Sequence, residues 1–405
     1  MTRGIKQSWV DTTLGDVVIK MCNGTTATQS KTLTNYPVSR IETISNGTID
    51  WNRVGYLREP APGFELEPGD ILYSHINSMP FMGRVARFRG ERPLYHGMNL
   101  MLVRADERKV DAEYLFRVLE SEPARHHANL EAKPSINQAS LGKKQISRFR
   151  FKMPQGLKEQ RRISEVLSTV DSLIETTEVL IAKKEAVRQG FMQDVFDSAK
   201  FGGNKAKSNF GPITKISEIN PRTPTSLDSD ELPFLSMGNV TETGEITQWQ
   251  YRRRKDVSVG LTNFVEGDVL FAKITPCMEN GKGAFVEGIG SQVAFGSTEF
   301  HVLRAKPGNN PRYIYQISRF RNYRARAESQ MVGSAGQKRV PARFFKEALV
   351  YIPDVLEQNR IVEILSAFDG EILAMRKKLE KLRYQKAGLM SDLLSGLVPV
   401  DEVAS

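Results

Sequence analysis

The stretch EQRRISEVLSTVD, Glu159 to Asp171, returns as EQNRIVEILSAFD at Glu357 to Asp369. The offset is 357 − 159 = 198, and 8 of the 13 positions are identical. The same register carries Gly190, Met192 and Asp194 onto Gly388, Met390 and Asp392 without a gap. A period of about half the chain means a duplicated protein, not a solenoid of short units.

Each copy opens a long amphipathic helix. In the second, Ile361, Leu365, Phe368, Ile372, Met375, Leu379, Leu382, Leu389 and Leu393 step by fours and threes, broken at Lys386. The first keeps the ladder at Ile163, Leu167, Val170, Ile174, Ile181, Phe191 and Val195, with Thr177, Lys184 and Arg188 as polar interruptions. Such alternation without proline is a coiled-coil seam. Roughly 40 residues at 1.5 Å each make about 60 Å. The seam predicts that the two helices pair with each other. Antiparallel pairing would make the molecule pseudo-two-fold, with one globular half at each end of a rod.

Short β-rich runs separated by Gly, Pro and Asn turns fill residues 1–155, among them VVIKM, DILYSHI and LMLVRA, with helical character near Asp111 to Leu119. Helix one is expected over 156–198, a Gly/Lys/Ser/Asn-rich linker over 199–212, and a second globular half over 213–353. Helix two follows over 354–396, then a tail, 397–405. The second half echoes the first. Gly69, Asp70, Leu72 and Ile76 recur as Gly267, Asp268, Leu270 and Ile274, and LMLVRA as FHVLRA. NGTIDW resembles TGEITQW, and FKMP at Phe151 is echoed by YIP at Tyr351. The fold class is α+β: two similar globular domains, each a mixed sheet plus helices, joined by the paired helices. One frame carrying two different surfaces suits a reader of two different targets.

Net charge is +10, 57 basic minus 47 acidic residues, which suits a polyanionic partner. No apolar run is long enough to span a membrane, and the first residues, MTRGIKQSWVDTT, lack a signal peptide's apolar stretch, so a cytoplasmic location is expected. Cys22 and Cys277 lie far apart without zinc-like spacing, and no metal site is expected. Catalytic motifs are missing too. There is no GxxxxGK[ST] loop, no HExxH, and no GxSxG elbow. Asn310-Pro311-Arg312-Tyr313 reads as a helix cap with Pro in the first turn. Asp70 and Asp268 read as turn residues.

Recognition chemistry is visible instead. The DNA-binding candidates are Arg84, Arg87, Lys133, Asn137, Gln138, Lys143 and Lys144 in the first half. In the second they are Arg252, Arg253, Arg254, Lys255, Lys273, Lys282, Gln337, Lys338 and Arg339. Lys and Arg neutralise phosphates, while Arg on guanine and Asn or Gln on adenine discriminate base edges. The candidates for the coiled-coil and subunit interface are Ile163, Leu167, Val170, Ile174, Ile181, Ile361, Leu365, Phe368, Ile372 and Leu379.

The doubled EQxRI-x-E-x-L-S-x-x-D entry, the repeated G-D-[IV]-L turn and the two divergent halves resemble the specificity subunit of type I restriction–modification enzymes. The likeness covers nearly the whole chain. It implies two target recognition domains reading a bipartite double-stranded DNA sequence, with half-sites about 34–36 Å apart. It implies that the helices dock two methylation subunits, and that restriction subunits join the complex. It implies that this chain is non-catalytic, with S-adenosylmethionine, ATP and Mg held by the adenine-methylating and ATP-dependent endonuclease partners. The competing readings are a coiled-coil assembly protein without sequence-specific DNA binding, and a stand-alone enzyme with a degenerate site.

Overall fold

The computed structural model describes residues 9–45, 47–136, 138–197, 209–223, 230–256, 260–290, 293–334 and 336–403. The chain divides into two compact units: unit 1, Met1–Glu178 with Lys377–Ser405, and unit 2, Val179–Arg376. Both are α+β.

Unit 1 is built on an antiparallel sheet in the order Val85–Arg87, Ile71–Ser74, Leu100–Ala105, Val18–Asn23. Unit 2 has the same order: Gly283–Phe285, Val269–Ala272, Phe300–Ala305, Ser217–Ile219. The strands Ile71–Ser74 and Val269–Ala272 are buried throughout. This is why ILYS and VLFA read as unbroken runs and not as apolar–polar alternation. A two-stranded ladder completes each frame, Trp9–Thr13 on Arg150–Pro154 and Phe210–Pro212 on Leu349–Tyr351. The last strand-forming residues of the stretch read as linker thus belong to unit 2's frame, while 198–208 lie outside the described residues. Beyond the frame the units diverge. Unit 1 adds the short strands Gln29–Ser30, Gly55–Leu57 and Pro37–Val38. Unit 2 instead has a mixed sheet, ordered Gln250–Arg253, Glu231–Leu235, Ala294–Gly296, Thr262–Phe264, whose middle pair is parallel.

The repeated Gly-Asp turn locks each frame. Gly69 and Gly267 sit at φ +97° and +83°, where a side chain would be strained. The following aspartates are each only 1% exposed. Asp70 Oδ2 accepts from Glu67 N at 2.8 Å, and Arg104 grips both carboxylate oxygens at 2.6 and 2.8 Å. Asp268 repeats this with Val265 N at 2.8 Å and Arg304 at 2.8 and 2.7 Å. A buried carboxylate costs several kcal/mol unless paired, and these charge-assisted bonds offset that cost. Turn and neighbouring strand are thereby fixed together.

A second lock uses the glutamine of the EQ doublet. Asp111 caps the helix Ala112–Glu120, accepting from Glu113 N and Tyr114 N. Asn310 caps Pro311–Arg319, with proline in the first turn as the sequence predicts. Gln160 Oε1 accepts from Asp111 N at 2.8 Å while its Nε2 donates to Pro154 O at 2.8 Å. Gln358 does the same with Asn310 N at 2.9 Å and Pro353 O at 3.0 Å. In each unit one buried amide joins the helix cap to the entry of the long helix.

The long helices run Leu157–Phe196 and Val355–Ser395, 40 and 41 residues. In unit 1 the start of the first shares a core with the end of the second, through Ile163, Leu167 and Leu393. In unit 2 Met192, Val195 and Phe196 pack in one core with Ile361, Val362 and Leu365. Ion pairs give the direction. Asp171 meets Lys386 at 2.9 Å and Glu178 meets Arg383 at 2.7 Å in unit 1. In unit 2, Glu185 meets Arg376 and Arg188 meets Asp369, both at 2.7 Å. Numbers rise along one helix as they fall along the other, so the pairing is antiparallel in each unit. Of the ladder residues, Ile163, Leu167, Ile181, Ile361, Leu365 and Ile372 are buried, and Val170, Ile174, Phe368 and Leu379 half-buried.

The polar breaks in that ladder have partners. Lys386 reaches Asp171 and Glu120, Arg188 reaches Asp369 and Gln316, and Lys184 pairs with Glu371. Asp171 and Asp369 are the last letters of the repeated motif. Arg117, only 1% exposed, adds its own pairs to Asp171, Glu113 and Glu120 in unit 1. In the stretch read as a tail, Val400 is buried in the unit 1 core and Asp401 pairs with Arg162.

Candidate nucleic-acid interface

In unit 1 the strands Lys133–Ser135 and Gln138–Ser140 form a hairpin that adds to Ile76–Asn77. Ala139 lies opposite Asn77, so the hairpin tip and the turn after Asn77 leave the sheet at the same end. Ala139 is buried while Gln138 and Ser140 are exposed, the period-two alternation of a half-covered strand. Lys133 is exposed, as are Lys143 and Lys144 on the short helix Lys143–Ser147 that follows. Arg84 is half-buried, its guanidinium 4.2 Å from the Phe81 ring centroid. The structure therefore groups Lys133, Gln138, Lys143 and Lys144 on one chain segment. Asn137 lies outside the described residues. Arg87 points elsewhere: it is paired with Glu113.

Unit 2 repeats this arrangement in reduced form. Arg339 bridges both Val332 and Ile274 through its backbone, and Thr275 N donates to Lys338 O at 3.0 Å. Gln337 and Lys338 are exposed there. The Arg339 side chain holds Glu299 at 3.0 and 2.8 Å, which pulls the Glu299 carboxyl below the usual range. Lys273 is half-buried nearby, and Lys282 donates to Met237 O at 3.1 Å. Arg252 and Arg253 lie on the exposed edge strand Gln250–Arg253, with Arg254 and Lys255 in the next turn. Arg252 stacks 3.4 Å from the Phe234 ring centroid, which fixes its guanidinium plane. A charged edge strand also blocks edge-to-edge pairing, so its charges have a structural use besides any contact with DNA.

Buried histidines add no charge to these surfaces. Burial holds His75, His96 and His301 below the usual imidazole range, His96 at about 4. The cleft of 820 Å³ in unit 1 is lined by Arg87, Arg89, Arg117, Arg383 and Lys386, but also by Glu91, Glu120, Asp171, Glu175 and Glu178. Balanced charge makes it a poor groove for a polyanion. Among the described residues no group of three or more His, Cys, Asp or Glu could hold a metal ion. Nor among the described residues is any helix long and apolar enough to cross a membrane.

The sequence model of the type I restriction modification DNA specificity domain matches residues 6–185 and again 208–384. The chain belongs to this specificity family. Over 98% of its length it is 27% identical to a putative type I restriction enzyme MjaX specificity subunit of Methanocaldococcus jannaschii, covering 95% of that protein. It is 40% identical to the Escherichia coli EcoAI specificity subunit over a shorter stretch, 37% of this chain and 26% of that one. Among solved structures, the fold resembles a chain of a type I R-M system described for its assembly and conformational transition (TM-score 0.61, 13% identity, 98% and 100% covered). It also resembles the type I S subunit from M. genitalium (TM-score 0.58, 14% identity, 97% and 98% covered).

Within this specificity chain, sequence reasoning missed three features. The buried amides of Gln160 and Gln358 were hidden inside a motif read only for its apolar ladder. The partners of Lys386 and Arg188 were hidden because they lie on the other helix. The exposed Met79–Phe81 turn looked like any apolar run. For the first two a signal existed: polar residues identical at the 198 offset, such as Gln160 and Asp171, cannot be explained by an apolar seam.

Proposed function

We propose that this chain is the DNA-sequence-specificity subunit of a type I restriction–modification complex. Each unit reads one half of a bipartite double-stranded target. The recognition domains are residues 1–155 and 213–353, with the strand Phe210–Pro212 joined to the second. The long helices over 156–198 and 354–396 space the half-sites and dock two methylation subunits, and restriction subunits join that assembly. The chain itself performs no catalysis. S-adenosylmethionine, ATP and Mg belong to the partners, and the complex works in the cytoplasm.

One observation supports this reading above the others: a duplicated frame carries exposed cations and amides on equivalent hairpins, Lys133 and Gln138 in one unit, Gln337 and Lys338 in the other, while the residues around them differ. Lys133, Gln138, Lys143 and Lys144 serve the first half-site; Arg252 to Lys255, Gln337 and Lys338 serve the second. Phosphate contacts position each unit and the amides read base edges. Arg87, Lys282 and Arg339, already held by protein acceptors, act mainly by shaping the surface. The test is single-molecule sequencing of a host expressing this chain with its methylation subunit. A new split motif with modified adenines is expected. An assembled, soluble complex that leaves no new motif overturns the reading.

A further inference from the structure

Unit 1 exposes three large apolar side chains at the hairpin end. Met79 is 40% exposed, Phe81 41% and Ile136 89%. Arg84 lies over the Phe81 ring, and Gln138, opposite Ser135, flanks Ile136, so the apolar residues have a cation and an amide beside them. The turn is held firmly. Phe81 N donates to Ser78 O at 2.9 Å, Met82 is buried, and Gly83, at φ +70°, leaves no room for a Cβ beside Ala128. The backbone that presents Met79 and Phe81 thus has little conformational freedom left to lose on binding.

The same place in unit 2 is polar. There the chain reads Thr275-Pro276-Cys277-Met278-Glu279-Asn280. Thr275 Oγ1 donates to Glu279 and Asn280 Nδ2 to Glu242, and Met278 is buried. Arg324 and Arg319 brace the turn from behind through the carbonyls of Met278, Lys282 and Gly281. Among the described residues of that hairpin the large exposed apolar side chain is Val332, at the base opposite Arg339, the register that Lys133 and Ser140 hold in unit 1.

We propose that Phe81, Met79 and Ile136 read thymine C5-methyl groups in the major groove of the half-site bound by unit 1. This rests on the DNA-reading function above. Apolar contact with that methyl distinguishes thymine from cytosine at the same groove position. An intercalating wedge needs both faces of a ring between bases. Arg84 already covers one face of Phe81, which leaves the other face and the edge for a methyl group.

The test uses the complex of this chain with its methylation subunit, and duplexes carrying the sequenced motif. Each thymine of both half-sites is replaced in turn by deoxyuridine, which removes only the methyl group. Binding is expected to weaken roughly fourfold at one or two positions of one half-site, the scale of one buried methyl. Phe81→Ala and Ile136→Ala, both exposed and so expected to fold, should weaken binding to the thymine duplex and make it insensitive to the replacement. Phe81→Leu should restore part of the response. Deoxyuridine without effect, or losses from protein and DNA that simply add, overturns the proposal. So does a rise in 2-aminopurine fluorescence at a step of that half-site, which marks a wedge. If the wild-type complex reads a split motif while these variants leave both half-sites unchanged, only this inference fails. If it reads none, the DNA-reading function fails with it.

Discussion

The hairpin ends of the two units share a frame and differ in chemistry. In unit 1 the three-stranded arrangement is complete; its turn shows Met79 and Phe81 to solvent and its hairpin shows Ile136. In unit 2 it shrinks to single bridges at Arg339, and its turn is polar and braced by arginines. Beneath both lie the same locks: the Gly-Asp turn with its arginine, the capped helix, and the buried glutamine. Residues that hold the frame recur, while residues that face outward vary. Frame and outward surface are therefore built from separate sets of side chains, and each set can be perturbed alone.

The largest expected effect breaks the shared part. Arg104→Ala and Arg304→Ala each leave a buried aspartate without its charge partner, at a cost of about 3–5 kcal/mol. Denaturant unfolding should show equal losses in the two variants. A loss in only one would mean that the locks are not equivalent.

Acid should separate the units next. His96 is neutral in the fold because burial holds it at about 4. As pH falls below about 6.5, the unfolded chain takes up that proton first, so stability is lost progressively down to about 4. The full effect approaches about 3 kcal/mol, and His75 adds in the same direction. Unit 2 has His301 alone of this kind among the described residues. Unit 1 should lose hydrogen-exchange protection at higher pH than unit 2, and His96→Gln should narrow the gap.

Smaller still are the amide locks. Gln160→Leu and Gln358→Leu remove bonds to a cap N–H and a carbonyl, leaving these buried groups unmatched for about 1–3 kcal/mol each. Thermal melts should register a drop in both. A neutral result at either position would mean that water takes over there.

The smallest per-residue effect concerns binding. Replacing Arg252, Arg253 and Arg254 by alanine should lower the slope of log affinity against log salt by roughly 0.9 for each phosphate that is no longer neutralised. The motif itself should be unchanged. An altered motif would mean that these residues read bases.

How legible was this from the sequence? The duplication, the paired helices and the Asn310 cap were readable because each rests on local periodicity or on a residue with one strong conformational preference. The surfaces were not. Lys143 and Arg87 look alike as letters, yet one faces solvent and the other pairs with Glu113. Phe81 and Phe271 are the same letter, yet one lies in an exposed turn and the other inside a fully buried strand. Exposure is decided by distant segments, of which the neighbouring letters carry no record.

Unit 2 is one uninterrupted segment, while unit 1 is assembled from two pieces separated by it. During synthesis, unit 2 has all its parts once Arg376 has emerged. Unit 1 must wait with Ile163 and Leu167 uncovered until Leu393 and Val400 arrive. At about 5–20 residues per second that delay lasts roughly ten to forty seconds. The order of birth is the reverse of the order in the chain. A nascent chain stalled before residue 377 should therefore hold a finished second unit and a first one still open to chaperones.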